Sequence, residues 1–184
     1  MLSTPVIETH LSAFHEVIAE CTDLKSRVET ERVAVSAITA AFVNASETLA
    51  RRGYITPQKV EGLTLSIEEN ALDLKAALDE VDASIRTAIG PVEKFAAVTE
   101  RLRSAQKVAL PVQVTAAAGR SDGSEALETS MFDSIAAQHS ALCEHLLESV
   151  RELANKATYR LDDVRERIDR LQSSYGEITA AMAS

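Results

Sequence analysis

The chain has 184 residues, enough for one ordinary domain, and its 29 alanines against six glycines, four prolines, seven aromatics and no tryptophan are a strong bias toward helix formers. That composition argues against a β-sandwich, a barrel or a glycine-rich nucleotide fold. The net charge is -9, and neither part is basic: residues 1–110 carry 16 acids and 12 bases, residues 111–184 carry 12 and 7. Nucleic acid is therefore not an expected partner, and an anionic membrane is a poor one, because either needs a cationic face.

The start, MLSTPVIETH, lacks the basic and apolar regions of a signal peptide, and no stretch reads as long and apolar enough to span a bilayer. Two cysteines are too few for a disulfide framework and suit a reducing compartment. The expected location is the cytoplasm.

From Ile7 an apolar residue recurs every seven positions: Ile7, Phe14, Cys21, Val28, Val35, Phe42 and Leu49. Val17, Leu24, Ile38 and Ala45 follow three later, with His10 and Glu31 interrupting the second set. This is an a/d stripe, the mark of a long helix packed against others in coiled-coil fashion. Thr4 and Pro5 make a good start, and Arg51, Arg52 and Gly53 a good end, so the first helix is expected over about 4–51.

Thr56 and Pro57 repeat that start, followed by Val60, Ile67, Leu74, Val81, Ala88, Phe95, Leu102 and Ala109, with Leu63, Ala77 and Val98 as companions and Leu78, Ile85 and Val92 supplementing them on the flank. The second helix is expected over about 57–109, antiparallel to the first because the link is so short. Gly90 and Pro91 interrupt it. The register continues across them, which predicts a kink and a hinge, with a true break as the alternative. Residues 110–122 have no sustained period and collect Pro, Gly, Ser and Asp, as a loop does.

Asp122 and Glu125 open a third helix, about 123–183, whose stripe runs through Leu127, Met131, Ile135, Leu142, Leu146, Val150, Leu153, Ala157, Leu161, Val164, Ile168, Leu171, Tyr175, Ile178 and Met182. The fold class expected is all-α: one elongated, antiparallel three-helix bundle running up, down and up, with helices roughly 70–90 Å long.

In such a bundle Cys21, Cys143, Gly90 and Pro91 fall at one level, beside Gln138 and His139. A layer filled with small polarizable residues is the simpler reading, and a redox or metal-sensitive switch the sharper one. The third helix is expected to pass the tip near residue 174, which leaves Tyr175, Ile178 and Met182 either as a cap or as a docking surface. Val33, Val43, Leu65 and Leu72 stand off the seams at similar heights, and this surplus points to association with a partner or a second copy.

No catalytic constellation is present. Glu-x-x-His, His-Glu-x-x-His, Cys-x-x-Cys, the EF-hand loop and both glycine-rich phosphate loops are all absent. His139 and Cys143, four apart, supply half a zinc site at most. No catalytic residue, cofactor or metal is expected. Tyr159 and Asp163 form a Tyr-x-x-x-Asp pair that resembles the export signal of type VII secretion substrates. The Trp-x-Gly turn of those proteins is replaced here by Arg52, Gly53 and Tyr54. Tyr159 flanking the seam with Asp163 in water is the simpler reading.

The expected function is a non-catalytic scaffold that joins proteins, itself or another helical subunit, through its helix edges. One alternative is a lipid- or granule-surface module, similar in architecture to BAR dimers or phasins. Another is an exported helical factor of type VII kind.

Overall fold

The computed structural model describes residues 4–116 and 123–183, with side chains described over 5–105 and 134–180. Part of the expected loop, 117–122, and the side chain of Met182 lie outside the described residues. Three helices account for the fold: α1 (Thr4–Arg51), α2 (Pro57–Ala116) and α3 (Gly123–Ala183), with no strand among the described residues. The protein is an all-α three-helix bundle.

The turn between α1 and α2 follows from its residues. Gly53 adopts φ 76°, in the left-handed region, where it bears no Cβ strain. Its N–H donates to the Ala50 carbonyl at 2.9 Å, and the Tyr54 N–H donates to the Leu49 carbonyl at 3.0 Å. These two bonds are the Schellman pair, and they satisfy carbonyls that the helix end would leave open. Three residues later the Lys59 N–H donates to Thr56 Oγ1 at 3.3 Å, so Thr56 caps α2 and Pro57 occupies the first position, where no N–H is needed.

α2 runs on to Ala116, seven residues past its expected end at 109, so 110–116 is helix and not loop. A proline inside a helix removes one ladder bond, and the helix-compatible residues around Pro111 carry the backbone through it. The same holds at Gly90 and Pro91, where α2 is unbroken and the alternative of two separate helices does not occur.

By its packing the chain resolves into two compact units, Met1–Thr22 with Arg86–Ala154, and Asp23–Ile85 with Asn155–Ser184. Each takes a segment from all three helices. A residue in a long helix touches only neighbours within a few turns of its own level, so packing is local.

In the first unit the buried line of α1 is Ile7, Leu11, Phe14, Val17 and Cys21, with His10 among them. α2 contributes Ala88, Val92 and Thr99, and α3 contributes Cys143, Leu147, Val150 and Ala154. In the second unit Val28, Val35, Ile38 and Phe42 of α1 meet Leu74, Leu78, Val81 and Ile85 of α2 and Leu161, Val164 and Ile168 of α3. Each fully buried Val, Leu or Phe adds about 1.5–3 kcal/mol of hydrophobic stabilisation.

Two seams differ from expectation. On α2 the flank line, four residues on from the heptad series, is the buried one: Leu78, Ile85 and Val92, joined by Ala71 and Thr99, are buried, whereas Val98, three residues on, is exposed. On α3 the first half turns by one residue, so that Cys143 and Leu147 are buried and Ile135 and Leu142 are exposed. In both places two apolar lines run side by side, and only packing against the other helices decides which becomes the seam.

α1 also contains an 18-residue window with mean hydropathy 1.4, which meets by length and composition the requirement for crossing a membrane. This corrects the reading that no stretch is apolar enough. Only 28% of that window is buried, and α1 carries the buried stripe of both units.

Candidate functional site

The expected partner-binding residues fall into three groups. Val33, Leu65 and Leu72 are 70%, 54% and 65% exposed. Each stands two residues before a buried neighbour, Val35, Ile67 and Leu74, and therefore about 160° around its helix from the core. Val33 thus faces away from the buried side of α1, and Leu65 and Leu72 face away from that of α2. Val43 is half-buried, on the flank next to Phe42.

Tyr175 and Ile178 are not a projecting surface. Both pack on Ile38, Phe42 and Ile67, and the Tyr175 ring meets Phe42 edge to face at 5.4 Å between centroids. The reason is register: Tyr175 of α3 faces Phe42, nine residues before the end of α1 at Arg51, so Tyr175 and Ile178 pack along the bundle and not past its tip.

The first unit holds a buried polar cluster. Thr99, fully buried on α2, donates its hydroxyl proton to the Phe95 carbonyl at 2.8 Å. Its oxygen can then only accept, so the 3.1 Å contact to His139 Nε2 requires the proton to be on Nε2. The same nitrogen lies 3.4 Å from Cys143 Sγ, and the His139 ring stacks on Phe95 at 6.1 Å. Burial, and after it the nearby His10, pushes the His139 pKa below its ordinary value. His10 Nδ1 is buried with no hydrogen-bond partner among the described residues.

This cluster is structural chemistry. Burial raises the Cys143 thiol above its ordinary pKa, so Cys143 is a weak nucleophile. Cys21 is raised likewise, by burial and then by Glu20. Both cysteines are free, and among the described residues no group of three or more His, Cys, Asp or Glu side chains is placed to hold a metal.

Ion pairs fix the contacts between helices. In the second unit Arg32 of α1 reaches Asp79 and, at 3.8 Å, the buried Asp82 of α2. Arg27 pairs with Asp162 at 2.7 Å, and Arg165 of α3 holds the buried Glu31 at 3.4 Å. In the first unit Arg103 of α2 meets Glu8 of α1 at 3.3 Å. Glu31, which interrupts the apolar series in the sequence, keeps its seam position by virtue of Arg165.

Two shallow surface grooves belong to the second unit. One is lined by Ala77, Glu80, Tyr159, Arg160, Asp163 and Val164, the other by Glu47, Ala50, Arg51, Pro57 and Val60. Neither brings together an acid, a base and a nucleophile in a water-excluded space. Tyr159 is exposed at the first, beside the Arg160–Glu80 pair at 2.8 Å.

The sequence reading missed an apolar face in the first unit. Val98 and Leu102 of α2 are 46% and 38% exposed, and Ile135 and Leu142 of α3 are 58% and 55% exposed. Leu102 lies two turns from Phe95, which stacks on His139, while Ile135 and Leu142 lie four before and three after His139. All four therefore flank the seam between α2 and α3. Their heptad spacing was visible, but it made them look like the seam itself.

No family model, curated protein or solved structure matches this chain.

Proposed function

We propose that the protein is a non-catalytic assembly component that joins protein partners through exposed apolar positions on its helices. The observation that carries this reading is that Leu65, Leu72, Val98, Leu102, Ile135 and Leu142 remain exposed outside seams that are already filled. Apolar side chains left exposed in this number cost solubility unless something covers them. Within each unit, helices with ion-paired contacts give these side chains a packed support, which suits a scaffold. Within this reading Gly90 and Pro91 are the point at which α2 yields first, because Pro91 gives no N–H to the ladder.

The test is capture from the source cell by the tagged wild type and by a Leu65→Glu, Leu72→Glu variant, together with the mass of the purified protein by light scattering across concentrations. The expected result is a defined complex, with itself or with another protein, that the variant loses. A wild type that stays at 19.9 kDa and retains nothing the variant does not also retain would falsify the reading.

A further inference from the structure

The apolar face of the first unit is bordered by cations. On α2, Lys94, Val98 and Arg101 stand at i, i+4 and i+7, all exposed and on one line, with Leu102 beside them. The acids of the same stretch are elsewhere. Glu100 is held by Arg103 on the side that meets Glu8 of α1, and Glu93 lies seven residues before Glu100 on the same line. On α3, Glu144 and Glu148 follow Cys143 and Leu147 and so fall on the opposite flank from Leu142. In a chain of net charge -9 this face is apolar with a positive border.

The second unit carries its counterpart. On the outer side of α2, Glu61, Leu65, Glu68 and Leu72 stand at i, i+4, i+7 and i+11, all exposed. Glu61, Leu65 and Glu68 repeat the spacing of Lys94, Val98 and Arg101 with the charges reversed. Laid together in parallel, the two lines put an acid against a base at both ends of a heptad with Leu65 at Val98; laid antiparallel, the charges still pair and Leu65 falls at Ala97, beside Val98. None of these four charged side chains forms an ion pair among the described residues.

We infer that the occupant of the Val98, Leu102, Ile135 and Leu142 face is a second copy of this chain, docked through its Glu61, Leu65, Glu68 and Leu72 line. The inference rests on the assembly reading above and names its partner. The contact joins unlike surfaces, so each copy carries one of each and can both give and receive. Apolar burial supplies affinity, and the matched charges set register and exclude misaligned pairings.

The experiment is sedimentation equilibrium on the full chain across concentrations, in low salt and in about 0.5 M salt, where the Debye length falls to a few Å. The wild type should self-associate, more weakly in high salt. A Lys94→Glu, Arg101→Glu variant and a Glu61→Lys, Glu68→Lys variant should each lose at least tenfold in association constant, and an equimolar mixture of the two should recover it. Circular dichroism of each variant checks folding, and Lys94→Gln, Arg101→Gln replaces the first pair if the reversal unfolds the chain. A wild type that is monomeric throughout overturns the inference, even if a different protein is captured in the test of the assembly reading. Association indifferent to all four substitutions, or a mixture that fails to recover, overturns it as well. So does a monomer that binds phosphatidylserine vesicles through Lys94 and Arg101, which would give the face to lipid.

Discussion

His139 shows how one hydroxyl proton fixes the chemistry of its neighbours. Because Thr99 spends its only proton on the Phe95 carbonyl, the imidazole must donate from Nε2, and a charged ring would be poorly solvated there. Its pKa therefore lies below the ordinary 6.5, chiefly through burial and then through His10. The sign follows from proton counting. As pH falls through about 6.5 the unfolded chain takes up a proton that the folded chain resists, so stability declines until the folded His139 itself is protonated. Urea midpoints measured between about pH 8 and pH 5 should fall for the wild type and fall less for His139→Gln, with the difference opening below pH 6.5. In the sequence His139 was a half-ligand beside Cys143. Its role in packing was hidden because Thr99 and Phe95 come from another helix, 40 and 44 positions away.

Among the helices, the parallel pairing of α1 with α3 in the second unit is held by packing and by one buried acid. Glu31 sits on the seam with Arg165 half in water. Replacing Arg165 by Met leaves a carboxylate in an apolar layer and should cost about 1–3 kcal/mol. Replacing Glu31 by Leu removes the charge and extends the apolar line between Val28 and Val35, and should be neutral or stabilising. Thermal melts of the two variants check this, and equal losses would mean that the pair acts through attraction alone. The existence and ends of α1, the cap at Thr56, the turn at Gly53 and the three-helix class were legible because caps and heptads are local signals. The seam on α2, the first half of the seam on α3 and the position of Tyr175 were not. Adjacent apolar lines compete for burial, and register between helices is set by contacts such as Phe42 with Tyr175 that no local pattern encodes.

The molecule as a whole divides into two packed units whose exposed surfaces differ in kind. The second presents leucines between acids, the first an apolar face between cations, and the overall charge of -9 conceals the contrast. Composition could report only the sum, which is why cations bordering an apolar face were not anticipated. The assembly reading and its self-pairing form both depend on this division, since a face that complements its own chain must lie on a different part of it.

Both cysteines of the chain, Cys21 and Cys143, belong to the first unit, and the second has none. Both thiols are buried and held protonated by that burial, so an alkylating reagent must wait for the helices around them to part. The molecule thus contains its own clock, wired to one unit and blind to the other. Labelling followed by mass spectrometry should quicken roughly tenfold or more when Phe14, the largest wholly buried side chain among the described residues, is replaced by Ala. Tyr175→Ala, which loosens the second unit, should leave the rate nearly unchanged if the units open separately. A matched acceleration would show that the three continuous helices transmit the loss from one unit to the other.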